Sequence, residues 1–282
     1  MLERFPLSET LSIMRFMSMI VKVGQIPYLN CEPFFHGFVQ DGVELCPMPP
    51  SAMGPLAHVD ELDAGPFSLV QSFDLKDRYE TLGDMGISVK GPVRSILFYS
   101  RVPLWELSGA LVGVTQESAT AAQLMKVLLE HRYEVRPGSY VGLEHHNLNA
   151  FLLIGDEALA THDRVEGFPY RYDLAEEWLK WKGLPFVFAM WMVRRTLDVE
   201  VKVMLADRLR EKLAENMSHN LKAIADKREF MGMTYEEVAD YLRAFRYVLS
   251  DEDRQAIEVF EGAWRSISME KPFQGRAKEV TT

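Results

Sequence analysis

The stretch Val21-Lys22-Val23-Gly24-Gln25-Ile26-Pro27-Tyr28-Leu29-Asn30 decides the fold. An apolar run ends in a Pro-Tyr-Leu-Asn turn, and Pro33 follows where a helix would start. In an open α/β sheet, a strand that delivers a small polar group to its carboxyl end lines a ligand crevice. Two distant segments repeat the arrangement. Gly91-Pro92-Val93-Arg94-Ser95 leads into Ile96-Leu97-Phe98-Tyr99-Ser100, and Leu111-Val112-Gly113-Val114-Thr115 runs toward Glu117-Ser118-Ala119-Thr120. The expectation is a binding cleft assembled from separate parts of the chain.

Outward from this stretch, residues 21–100 alternate apolar runs with helix-like segments, an α/β pattern. Pro66 interrupts the apolar run Ala64 to Ser68, which leaves the pairing of that strand open. Arg101-Val102-Pro103 reads as a crossing into a second α/β unit with strands at Leu111 to Thr115 and Phe151 to Ile154. The chain returns through Phe186 to Arg194, so two crossings make a hinge. From Asp198 the pattern is helical: Leu205, Leu209, Leu213, Met217 and Leu221 recur at four-residue spacing. Thr234 with Glu237, and Ser250 with Asp253, have the spacing of helix amino-terminal caps. The expected organisation is an extension at 1–20, a first domain formed by 21–101 and 194–282, and a second domain at 102–193.

Composition narrows the function classes. The 282 residues are 48% hydrophobic, enough to bury a large core, and the formal net charge of -10 argues against a nucleic-acid partner. Only Cys31 and Cys46 are present, without CxxC spacing, which fits a reducing cytoplasm. The first twenty residues lack a sustained apolar core, and no stretch approaches transmembrane length, so a cytoplasmic location without membrane insertion is expected. The seven histidines are scattered, and HExxH, GxSxG, Walker and GxGxxG patterns are missing. No metal and no cofactor are expected.

Each candidate polar residue has a plain structural reading. Asn30 could cap the helix begun by Pro33, Arg94 and Ser95 could belong to a turn, and Ser118 and Thr120 suit a helix start. Asp156 could cap the helix Glu157-Ala158-Leu159. A helix start also offers free backbone donors to an anion, so the two readings stand side by side.

These motifs, with Leu153-Ile154-Gly155-Asp156-Glu157-Ala158-Leu159 and Gly183-Leu184-Pro185-Phe186-Val187-Phe188-Ala189-Met190-Trp191, resemble the chorismate dehydratases of the futalosine route to menaquinone over roughly residues 21 to 270. The resemblance implies an α/β fold of the two-lobed type II periplasmic-binding-protein kind, with a central cleft and a helical C-terminal segment. It implies a lyase that dehydrates the dicarboxylate chorismate to 3-[(1-carboxyvinyl)oxy]benzoate. By the same resemblance Asn30 and Ser95 are the catalytic positions. Tyr28, Ser51, Ser68, Arg94, Ser118, Ala119, Thr120, Gly155 and Asp156 would bind substrate. The chain departs from the family pattern at Ala119, where Arg is common, and at Ala121, where a final Ser is usual. The resemblance assigns no histidine, lysine or glutamate of these motifs as a base. The substrate's own enolpyruvyl carboxylate is therefore expected to remove the ring proton, with Asp156 as competitor. The alternatives are an enzyme like 1,4-dihydroxy-6-naphthoate synthase, disfavoured by Tyr28-Leu29-Asn30, and a binding protein for a small aromatic carboxylate. The sequence leaves open whether two copies pair as a homodimer.

Overall fold

The computed structural model describes residues 20–115, 117, 119–161, 165–227 and 232–269. The extension expected at 1–20, apart from Ile20, and the polar end from Lys271 to Thr282 lie outside the described residues. So does Ser118.

Six strands make the first sheet: β1 (Val21–Gln25), β2 (Val43–Pro47), β3 (Ala64–Ser68), β4 (Tyr79–Val89), β10 (Phe186–Arg194) and β11 (Phe245–Val248). Their order is β11-β4-β10-β3-β1-β2. The second sheet holds β5 (Ile96–Ser100), β6 (Leu111–Val114), β7 (Ser139–Val141), β8 (Ala150–Ile154) and β9 (Tyr170–Asp173), in the order β7-β6-β8-β5-β9. Both sheets are mixed. β1 runs parallel to β2 and β3, whereas β10 runs antiparallel to β3 and β4. β6 is parallel to β7 and β8, and β5 is antiparallel to β8 and β9.

Sheet membership corrects the expected boundaries. β5 already belongs to the second sheet, so the chain leaves the first sheet between Val89 and Ile96, not at Val102. β10 is wholly in the first sheet, so the return falls between Lys182 and Phe186, not at Arg194. An apolar run such as Ile96 to Tyr99 carries no mark of which sheet it will join. Pro66, meanwhile, is tolerated inside β3: its ladder to β1 is limited to Val23 with Ala64, and Pro66 lies opposite Trp191 of β10.

Helices cover the sheets. A 3₁₀ turn (Leu29–Cys31) leads into α1 (Glu32–Phe35), followed by α2 (Pro50–His58), α3 (Leu69–Leu75), α4 (Ala119–Val127), α5 (Gly155–Ala160) and α6 (Leu174–Lys182). α2 packs so closely on β1 that a Cβ at Gly24 would meet Met53 Cε at 2.8 Å. Asp173 caps α6 by accepting from the Ala175 and Glu176 amides at 3.1 and 3.2 Å, and Gly183, at φ 70°, ends the helix.

After the return strand come α7 (Val199–Glu215), α8 (Leu221–Asp226), α9 (Tyr235–Arg243) and α10 (Asp251–Met269). Leu205, Leu209, Leu213 and Leu221 are buried as their spacing requires. A π-helical turn at Asn216–Asn220 shifts the stripe, so Asn216 is buried where Met217 was expected. Thr234 and Glu237 form a reciprocal capping box on α9. At α10, the Asp253 carboxylate accepts from the Ser250 amide at 2.8 Å and from the Ser88 hydroxyl at 2.5 Å, tying the helix to β4. The expected helical tail also contains a strand, β11. Its period-two pattern of buried Phe245 and Tyr247 against half-buried Arg246 and exposed Val248 is the signal for it. The largest fully buried side chains include Trp178, Trp191, Tyr79, Tyr99 and Tyr241.

Candidate functional site

A cleft with about 550 Å³ of empty space, counting its open mouth, lies where the two sheets face each other. The first lobe contributes Ile26, Tyr28, Asn30, Ser68, Ile87 and Phe188; the second contributes Ile96, Ile154 and Gly155. Val93 and Ser95, on the crossing between them, also line it. Its mainly apolar lining with a few polar groups is of the kind found at small organic ligand sites. No Asp, Glu, His, Lys or Arg is among its described lining residues.

Asn30 is brought here by the 3₁₀ turn after β1. It does not cap the following helix, which starts without a side-chain cap. Its amide oxygen is buried and finds no partner among the described residues, while its backbone carbonyl accepts from the Tyr247 hydroxyl at 3.1 Å. Ser68, at the end of β3, is likewise buried with an unpartnered hydroxyl. An unpaired buried polar atom costs about 1–3 kcal/mol, so two in one cleft mark places where a ligand group would complete the bonding. Ser95 is 2% exposed, and its Oγ accepts from the Tyr241 hydroxyl at 2.8 Å.

Gly155 starts α5 at φ +59, and a Cβ there would lie 3.2 Å from the Tyr28 ring. Only glycine combines that backbone conformation with so close an approach. Tyr28 donates its hydroxyl proton to the Glu117 carboxylate on the opposite lobe. Burial and then the Glu117 bond raise the Tyr28 pKa above its ordinary value.

Several candidates serve the junction between lobes in place of the cleft wall. Asp156 Oδ1 accepts from the Leu29 amide at 2.9 Å. The Thr120 hydroxyl accepts from the Val70 amide at 3.2 Å and so caps α3 from the other lobe. The Ser51 amide donates to the Glu117 carbonyl at 3.1 Å, while the Ser51 carbonyl accepts from Gln71 Nε2 at 3.2 Å. Ala119 begins α4 and packs against the core. Pro50, the neighbour of Ser51, reaches the cleft wall. The Asp156–Leu29, Thr120–Val70 and Ser51–Glu117 bonds join the two lobes, at about 1 kcal/mol each.

Arg94 faces away. Its side chain is exposed and donates to the Asp240 carbonyl at 3.1 Å, and its backbone amide donates to Asp173 Oδ2 at 2.6 Å. With φ at +62, it forms a left-handed turn on the crossing between lobes. The structure thus groups Asn30, Ser95, Tyr28, Ser68 and Gly155 at the cleft, sets Asp156, Thr120 and Ser51 at the lobe junction, and removes Arg94. Sequence reasoning passed over Glu117, Tyr241 and Tyr247. Glu117 had a visible signal, the polar segment after β6; the two tyrosines sit in a stretch that read as helical packing.

Elsewhere, among the described residues, no three His, Cys, Asp or Glu side chains gather as a metal site. No described helix is long and apolar enough to cross a membrane.

Two mixed lobes, a chain that crosses twice and a cleft between them define a periplasmic-binding-protein-like fold. The aliphatic sulphonate binding protein SsuA of Escherichia coli shares it with a TM-score of 0.59 at 11% identity, over 90% of this chain and 94% of that one. Protein AF1704 of Archaeoglobus fulgidus superposes with a TM-score of 0.71 at 18% identity, over 89% of this chain and 98% of that one. The chain belongs to the menaquinone biosynthesis family, whose model matches residues 21–265. It is 30% identical over 261 residues to the chorismate dehydratase of Thermus thermophilus, spanning 84% of this chain and 92% of that protein.

Proposed function

We propose that this chain is a chorismate dehydratase, forming 3-[(1-carboxyvinyl)oxy]benzoate in its inter-lobe cleft without a cofactor. The observation that carries the reading is the pair of unpartnered groups, Asn30 Oδ1 and Ser68 Oγ, beside Ser95 in an otherwise apolar, uncharged cleft. A ring hydroxyl can donate to the amide oxygen, and a carboxylate can accept from serine hydroxyls. The apolar walls of Ile26, Ile87, Ile96 and Phe188 suit the ring.

The chemistry follows from the substrate. The proton on ring carbon three is conjugated through a double bond to the ring carboxylate, so donors fixed on that carboxylate stabilise the dienolate that forms as the proton leaves. The electron pair then expels the neighbouring ring hydroxyl, and the ring becomes aromatic. The enolpyruvyl carboxylate takes the proton and passes it to the departing hydroxyl as water. A base within the substrate needs only to be held in place, which is a task for a closed cleft. Asn30 and Ser95 orient the reacting atoms, while Tyr28, Ser68 and Gly155 shape the cleft. Asp156, Thr120 and Ser51 close it, and Ala119 and Ser118 stand beside that closure in the chain.

The second reading is a protein that binds an aromatic carboxylate without turning it over, favoured by a fold shared with SsuA. Purified protein incubated with chorismate separates the two: the dehydrated aromatic product, identified by mass and absorbance, supports the enzyme. Saturable binding with unchanged chorismate supports the binding protein.

A further inference from the structure

We propose that Tyr241 is a positioning residue that commits the Ser95 hydroxyl to donate its proton into the cleft. The inference rests on the reading of the cleft as the ligand site. Tyr241 lies on α9, 146 residues from Ser95 in sequence, and only 1% of its surface is exposed. Its ring is fixed edge-on against Phe245, with centroids 5.1 Å apart.

A tyrosine hydroxyl has a single proton, and for Tyr241 the hydrogen-bond acceptor among the described residues is Ser95 Oγ at 2.8 Å. Pointing that proton elsewhere would leave a buried donor unsatisfied, at a cost that rivals a whole hydrogen bond. Ser95 must therefore accept, which leaves its own proton to dispose of. Within the protein it reaches the Val93 carbonyl at 3.5 Å, the outer limit of such a bond. A carboxylate entering the cleft is the better acceptor. The bond from Tyr241 also polarises Ser95, strengthening it as a donor. Burial raises the Tyr241 pKa, which keeps this donor protonated throughout the neutral range. Without the tyrosine, the serine is free to accept from the ligand or to turn away.

The test compares wild type with Tyr241→Phe, Ser95→Ala and the double variant. Phenylalanine keeps the ring and its contact with Phe245, and thermal unfolding confirms that each variant is folded. Tyr241→Phe should lower kcat/KM for chorismate by about tenfold, and should cause no further loss in the Ser95→Ala background. Losses that multiply in the double variant, or Tyr241→Phe with wild-type kcat/KM beside an impaired Ser95→Ala, overturn the inference. If the wild type consumes no chorismate, the enzyme reading fails by itself. The same four proteins are then titrated with 3-hydroxybenzoate, an aromatic carboxylate: weaker binding by Tyr241→Phe that vanishes in the Ser95→Ala background sustains the role of Tyr241, and equal affinities overturn it.

Discussion

Asp156 Oδ1 accepts the Leu29 backbone proton at 2.9 Å, joining the start of α5 in one lobe to the turn that carries Asn30 in the other. The carboxylate that looks most like a base from its place in the sequence is thereby engaged in holding the turn that carries Asn30. With the Tyr28–Glu117 and Thr120–Val70 bonds, it ties the position of Asn30 to the way the two lobes meet.

Asp156→Asn retains an oxygen for the Leu29 amide and removes the basicity. With the substrate carboxylate as base, turnover should remain within about tenfold of wild type in steady-state kinetics. Collapse by several orders of magnitude in a folded variant that still binds chorismate would assign the proton to Asp156.

Ser68 carries a buried hydroxyl that has no hydrogen-bond partner among the described residues. Ser68→Ala should raise the stability of the free protein by up to about 1 kcal/mol, read from denaturant unfolding, while weakening ligand binding. A destabilised variant would show that the hydroxyl already has a partner.

Arg94 occupies a left-handed turn and points its guanidinium at the Asp240 carbonyl. Arg94→Gly frees the backbone and deletes the charge, so kcat/KM should stay within a few-fold of wild type, roughly the scale of one exposed polar contact. A hundredfold rise in KM would mean that the guanidinium reaches the ligand.

The pH profile follows from the same geometry. Burial raises the Tyr28 and Tyr241 pKa values, away from neutrality, and a substrate carboxylate is ionised from about pH 6 to about pH 8. kcat/KM should therefore be level over that window. A bell shape with a limb inside it would point to a protein acid or base.

Strand-end reasoning located the cleft because Ile26, Ser95 and Ile154 follow from the α/β pattern: apolar runs ending in polar turns converge at one edge of their sheets. It could not separate Thr120 and Asp156 from Asn30 and Ser68, since all four are small polar groups at strand ends or helix starts. What distinguishes them is whether a backbone amide of the opposite lobe lies within reach, as Val70 and Leu29 do. That is a property of how the lobes close, not of local sequence. The crossings were misplaced for a related reason, because β5 and β10 are equally apolar and only pairing assigns them to different sheets. Tyr241 and Tyr247 lie beyond local reasoning altogether, reaching Ser95 and Asn30 across 146 and 217 residues of chain.

The most direct test of the account is the initial rate at which wild-type protein and Asn30→Ala convert chorismate to the dehydrated aromatic acid, followed by absorbance and confirmed by mass. The account predicts steady multiple turnover by the wild type and a loss on the order of a hundredfold or more in Asn30→Ala, with the fold unchanged. Chorismate recovered intact from the wild type, or equal rates for the two proteins, would contradict it.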